Sequence, residues 1–226
     1  TEVTKESGLF TVTTQEGGAY TSYAVITATG AKHRLLGVPN EERYVGNGIS
    51  FCAVCDGAFY EGQDVAVIGG GNSALQGAVM LSELCRSVTV IQNLPYLTGE
   101  KSLADSLMKK SNVSFVYGTV VKRFNGDDGF EGLTTLSDDG EEKDMRFDGV
   151  FIAIGLVPEN ACVKALADTD RGGYAVSGEN CTTKTEGLYV AGDCRTKRVR
   201  QITTAASDGA AAALAACQYI DSAIIQ

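Results

Sequence analysis

The sequence has no tryptophan, three prolines and one histidine, His33. A lone histidine removes the commonest zinc ligand, and no second Cys-x-x-Cys pair replaces it, so no metal site is expected. No apolar run approaches the roughly 20 residues that span a bilayer, and the polar start, residues 1–10, has no signal-peptide core. The expectation is a soluble, cytoplasmic protein with no membrane partner. Positive charge is scarce: 19 Lys and Arg against 28 Asp and Glu give a formal net charge of -9. Nucleic acids are held by Lys and Arg clusters that neutralise phosphates, and the single dense basic run, residues 195–200, is short, so no nucleic-acid partner is expected. No internal repeat and no low-complexity linker interrupts the chain.

What is present suits a buried core. At 226 residues and 44% hydrophobic content, the chain is long enough for one large or two modest domains. Residues 10–29 alternate, turn at Gly17-Gly18, and run apolar to Gly30, the pattern of a hairpin or sheet edge. Residues 34–48, with Pro39, Gly37, Gly46 and Gly48, read as a loop or linker. From Asp64, "DVAVIGGG" is a short strand entering glycines, followed by a helical stretch over 72–84 and the strand "SVTVIQ", a β-α-β unit. Further strands are predicted at 113–117, 119–124, 133–136 and 147–154, with a polar helix near 103–110 and hairpin turns at 126–129 and 137–140. "EGLYVAGDC" is a strand running into a glycine-acid turn, and the alanine-rich stretch 203–220 reads as a closely packed helix.

Seven cysteines are an odd number, and a chain of this size needs no disulfide staples. Only Cys52 and Cys55 stand two residues apart, with Asp56 adjacent. That spacing permits a small disulfide ring, and the carboxyl can serve as general acid when the dithiol forms or is consumed. The competing interpretation is a pair of buried structural thiols. The loop Gly69, Gly71, Asn72, Ser73, Ala74 fits G-x-G-x-x-A between a strand and a helix, where glycines let a pyrophosphate approach the helix N-terminus. Its bland alternative is a glycine turn that only packs helix on strand. A nicotinamide dinucleotide site then places an acid about 20 residues on for an NAD ribose, or an arginine for the 2'-phosphate of NADP. Here the second strand ends in Ile91-Gln92-Asn93-Leu94-Pro95-Tyr96, with neither.

In order, "ITATG" (26–30), "CAVCDG" (52–57), "VAVIGGGNSA" (65–74), "FIAIGLVP" (151–158), "GLYVAGDC" (187–194) and "RQITTAASDGAAAA" (200–213) resemble the low-molecular-weight flavoprotein thioredoxin reductases over essentially the whole chain. The resemblance implies an α/β protein of two Rossmann-like, three-layer ββα domains. An NAD(P)-binding-like domain carrying the Cys-x-x-Cys, residues 51–183, would be inserted in an incomplete FAD domain made of 1–50 and 184–226. It implies FAD as cofactor, with Thr29, Gly30, Gly192, Asp193, Arg200, Gln201, Ile202 and Ala205 at the flavin. Cys52, Cys55 and Asp56 would carry catalysis. The expected partner is thioredoxin or a thioredoxin-like protein, and the expected assembly a homodimer. A rotating insert would hinge at Gly46, Gly48 and 182–187.

Two departures shape these expectations. The family's amino-terminal G-x-G-x-x-G is absent, so the chain is expected to be a fragment of a longer protein and inactive alone. Where NADPH-using members carry His-Arg-Arg and a further Arg, this sequence reads Gln92-Asn93-Leu94 and Thr98, so NADPH is not the expected donor. The run "IQNLPYLTGE" resembles the ferredoxin-dependent branch, in which Arg195, Lys197 and Arg198 would help dock an acidic ferredoxin. The alternatives are the reductase component of a peroxiredoxin system and a non-catalytic redox-sensing or nucleotide-binding module.

Overall fold

In the computed structural model, which describes residues 1–224, the chain forms two compact units, one of residues 33–155 and one of residues 1–32 with 156 onward.

The 33–155 unit is built on a five-stranded parallel sheet in the order Ile49–Ser50, Gly149–Ile152, Asp64–Ile68, Ser87–Ile91, Val113–Val116. Its inner strands, DVAVI, SVTVI and GVFI, are runs of β-branched and apolar residues buried on both faces, the signature of a covered parallel sheet. One face takes the helix Asn72–Leu84. Its Ala74, Leu75, Ala78 and Leu81 share one side at helical spacing and pack with Val65, Val67, Val88 and Val90, joined by Leu107 of the helix Lys101–Leu107. Leu75, Leu81 and Leu107 are fully buried, each worth about 1.5–3 kcal/mol of transfer free energy. The other face, with Ala66, Ile68, Ile91, Val150 and Ile152, is covered by Val121, Phe124 and Leu133. These come from an antiparallel sheet of Thr119–Asn125, Gly132–Ser137 and Glu142–Arg146. Three layers result: antiparallel sheet, parallel sheet, helices.

The other unit opens on an antiparallel meander, Glu2–Glu6, Leu9–Thr13 and Ala19–Ser22. Val25–Thr27 then pairs in parallel with Leu188–Val190 from the far end of the chain. The long helix Ile202–Ile224 buries Asp208, Ala212 and Ala216, spaced four apart along one line, and the two alanines pack with Cys181, Tyr189 and Ala191.

The compact units change over earlier than the expected 50/51 and 183/184. Residues 33–50 bring Tyr44 and Ile49 into the core of the parallel-sheet unit, and Ile49 and Ser50 pair with Val150 and Phe151. Residues 156–183 place Val163, Ala167 and Ala175 against Val3 and Phe10. Among the strands that escape the sequence pattern are Glu2–Glu6 (EVTKE) and Glu142–Arg146 (EKDMR). Both are largely exposed outer strands whose pairing comes from a hairpin partner and owes little to an apolar face.

Candidate active site

The strand Ile49–Ser50 delivers the chain to Cys52, which caps the one-turn helix Ala53–Asp56; its sulfur accepts from the backbone N–H of Cys55 at 3.1 Å. Cys52 and Cys55 are bonded as a disulfide, Cα atoms 5.3 Å apart. Cys55 is exposed and Cys52 half-buried. Around them Val54 (71% exposed) and Phe59 (79%) present apolar surface to solvent. Asp56 turns back toward the sheet, where its Oδ2 accepts from Ser50 Oγ at 2.6 Å, and the same Oγ accepts from Cys52 N at 3.0 Å. Burial, helped by the negative charge of Asp56, pushes the Tyr60 hydroxyl up from its ordinary value. Ser50 escaped the sequence reasoning. The available signal was a polar residue closing a buried strand two positions ahead of a cysteine.

The glycine loop ends the strand Asp64–Ile68. Gly69 has φ +125°, and a Cβ there would sit 2.6 Å from Ala153 O, so only glycine serves. The helix begins at Asn72, and Leu75 N is the first amide to bond back, to Gly71 O. The N–H groups of Asn72, Ser73 and Ala74 thus belong to the free first turn that suits an anion. Gly69, Gly71, Asn72 and Ser73 line a cavity of about 640 Å³ within this unit. Ala74 does not. It lies fully buried behind the loop, in the helix-to-strand packing.

Across the cavity the second strand supplies Gln92, Asn93 and Leu94. Gln92 is buried, its carboxamide lies against Gly70, and its Nε2 donates to Tyr96 O at 3.3 Å. The segment that follows is tied down, with Thr98 N and Gly99 N both donating to Gly70 O, at 2.8 and 2.9 Å. Asn72 takes part: its Oδ1 accepts from Glu100 N at 2.6 Å and its Nδ2 donates to Glu100 Oε1 at 3.2 Å. Among the described residues no carboxylate lines the cavity, and the one cationic lining residue is Arg34, which the sequence reasoning missed because it lies far upstream.

The flavin-side candidates all fall in the other unit. Val25–Thr27 and Leu188–Val190 end side by side, Ala191 N donates to Thr27 O at 2.9 Å, and the chain turns through Gly192–Cys194 with Gly192 at φ +81°. Thr29 and Gly30 follow the first strand, Gly30 at φ +73°. Ala205 packs at Gly192. Arg200 lies 4.0 Å over the Tyr174 ring. Gln201 and Ile202 are exposed at the start of the last helix. Asp193 Oδ1 and Arg200 Nε are buried and find no hydrogen-bond partner among the described residues.

Beside this turn sits an ion cluster. Asp208 Oδ2 accepts from Gly192 N at 2.9 Å, Arg195 Nε at 2.8 Å and Lys197 Nζ at 2.8 Å, while Oδ1 accepts from Arg195 Nη2 at 2.5 Å. Burial alone would raise the Asp208 carboxyl, but the bonds from Arg195, Lys197 and Gly192 outweigh it and hold the group well below the usual carboxylate range. This corrects one expectation. Arg195 is only 9% exposed and the Lys197 side chain 7%, so both are committed internally and neither presents a docking charge; of the three basic candidates Arg198 alone is exposed.

The family described as pyridine nucleotide-disulphide oxidoreductase matches residues 1–209. Thioredoxin reductase of Treponema pallidum (strain Nichols) is 39% identical over 98% of this chain and 72% of its own length. That of Bacillus subtilis (strain 168) is 38% identical over 89% of this chain and 65% of its own. The solved thioredoxin reductase of Streptococcus pyogenes MGAS5005 superposes with a TM-score of 0.87 at 38% identity, covering 98% of this chain and 72% of that one. The chain thus spans about two thirds of the length of these relatives. Matched by that family over residues 1–209 and by a thioredoxin reductase over 98% of its length, the chain belongs to the pyridine nucleotide-disulphide oxidoreductases, among the low-molecular-weight thioredoxin reductases.

Proposed function

We propose that this chain carries the redox dithiol and part of the flavin site of a thioredoxin-reductase-type enzyme that passes electrons from flavin to Cys52–Cys55 and on to the disulfide of thioredoxin or a similar protein. The observation that carries this is the disulfide itself, solvent-facing at Cys55, ringed by exposed Val54 and Phe59, with Asp56 held beside it. A structural disulfide gains nothing from exposure, whereas one that exchanges with another protein requires it.

The residues of the 1–32 and 156-onward unit fit a flavin nucleotide. Asp193 Oδ1 and Arg200 Nε are an acceptor and a donor, both buried and unanswered by the described residues, and such groups cost about 1–3 kcal/mol unless something pairs with them. A ribityl hydroxyl suits the first and an isoalloxazine or phosphate oxygen the second. Gly30 and Gly192, both at positive φ, let backbone approach closely. We take this unit as the flavin domain and 33–155 as the dinucleotide-type insert. Bound FAD would supply two electrons to the disulfide.

The chain's own residues do the remaining work. As the S–S bond accepts two electrons it breaks into two sulfur anions, one of which takes a proton from Asp56. The other attacks the partner's disulfide, expelling a partner thiolate and forming a mixed disulfide. Return of the proton to Asp56 frees the second sulfur to attack in turn, which restores Cys52–Cys55 and releases the partner reduced. Ferredoxin in place of NADPH is the donor we favour, because Gln92, Asn93, Leu94 and Thr98 give a 2'-phosphate no cation.

The test uses the full-length protein, anaerobically, with flavin absorbance followed as NADPH and then reduced ferredoxin is added, and with thioredoxin as final acceptor. Ferredoxin should bleach the flavin and drive thioredoxin reduction, and NADPH should do neither. Thioredoxin reduction that survives Cys52→Ser and Cys55→Ser would sink the dithiol assignment, and rapid bleaching by NADPH the donor assignment.

A further inference from the structure

We infer that Ser50 is a positioning residue for the acid of the dithiol site: it ties up Asp56 Oδ2 so that Oδ1 is the oxygen that exchanges the proton with sulfur. The inference rests on the reductase reading for its purpose, though not for its geometry. Ser50 is 5% exposed, and its place is set by the parallel sheet, where it pairs with Phe151. A hydroxyl has one proton and two lone pairs. The Cys52 backbone N–H, 3.0 Å away, fills one lone pair. For the proton two acceptors compete, Asp56 Oδ2 at 2.6 Å and Cys52 O at 3.5 Å, and the shorter bond wins. The backbone of Cys52 thus orients the serine, and the serine orients the acid.

The chemical consequence follows from the proton ledger. When the disulfide accepts two electrons and opens, one sulfur anion takes the proton from Asp56, leaving a carboxylate. Ser50 stabilises that carboxylate while blocking Oδ2 as the donor oxygen. Among the described residues Asp56 accepts a hydrogen bond at Oδ2 and none at Oδ1. Losing the hydroxyl leaves the carboxyl free to rotate and its carboxylate less stabilised, so proton delivery slows although the disulfide itself is intact.

The test follows two rates on the full-length protein: reduction of Cys52–Cys55 by dithiothreitol, and reduction of thioredoxin disulfide. Ser50→Ala should slow the first by about tenfold to a hundredfold, a share of the 10²–10⁴ that a positioned general acid contributes, and Ser50→Thr should return it to within about twofold of wild type. Ser50→Val, which matches threonine in shape and lacks its hydroxyl, replaces the alanine variant should that one misfold. In an Asp56→Asn background the same Ser50 change should cost less than about twofold, because a residue acting through Asp56 has nothing left to act on. A wild-type rate in the hydroxyl-less variant, or a full additional loss in the Asp56→Asn background, overturns the inference. A wild-type protein that leaves thioredoxin oxidised instead removes the reductase reading, and the dithiothreitol rates still decide the role of Ser50.

Discussion

Arg195 and Asp208 meet in a two-pronged pair, Nε to Oδ2 at 2.8 Å and Nη2 to Oδ1 at 2.5 Å, that ties the Gly192 turn to the last helix. Lys197 binds the same carboxylate, so two buried cations share one anion.

Asp208→Asn should therefore be costly. It strands two cations with little access to water, and breaking such a buried pair costs about 3–5 kcal/mol. The pH dependence has a definite sign. The folded carboxyl titrates below its unfolded value of about 3.9, so the folded state binds fewer protons there. Its stabilisation is complete above that value and is lost as pH falls through it toward the lower folded value. Thermal unfolding from pH 2 to 7 should show a lower midpoint for Asp208→Asn at neutral pH and a flatter acid limb.

The thiols should sort by burial. Burial, with the charge of Asp64 second, pushes the Cys85 thiol up to about 11, while Cys217 is exposed on the last helix. With the Cys52–Cys55 disulfide kept oxidised at pH 8, iodoacetamide should label Cys217 and leave Cys85 unmodified until the protein is unfolded. Mass spectrometry of the labelled peptides decides, and early Cys85 labelling would contradict the packing around it.

Nucleotide selection should be transferable. Replacing Gln92-Asn93-Leu94 by His-Arg-Arg, with Thr98→Arg, adds charge-assisted partners for a 2'-phosphate, each worth about 1.5–3 kcal/mol. NADPH affinity measured by calorimetry should rise more than tenfold, with NADH affinity little changed. An equal gain for both nucleotides would mean that the added cations act only through general attraction.

Gly69→Ala should destabilise the protein by more than about 2 kcal/mol, because φ +125° disfavours any side chain and the added methyl meets Ala153 O at 2.6 Å. The denaturant midpoint should fall with an unchanged slope.

Local pattern carried a good deal of this. The strand, glycines and helix of 64–84 were legible because burial on both sheet faces writes itself as DVAVI and the helix as an apolar stripe. The cysteine spacing likewise permitted the disulfide that the structure forms. What stayed hidden was set across the chain. Arg34 reaches the cavity from upstream, and the outer strand Glu142–Arg146 owes its existence to its neighbour. The basic run 195–200 looked like surface charge because sequence shows sign but not depth. Asp208, nearly two turns into the last helix, turns Arg195 and Lys197 inward.

The parallel pairing of Val25–Thr27 with Leu188–Val190 bears on how the protein is made. A ribosome releases the first of these strands long before the second exists, and between them it releases every residue of the 33–155 unit. That unit has all its partners in hand first, and domains generally fold as units during synthesis. The strand Val25–Thr27 must wait for its mate until the whole of that unit has been made. Aggregation during expression should accordingly begin at Val25–Thr27, and shortening the chain ahead of Leu188 should worsen it while leaving the parallel-sheet unit able to fold.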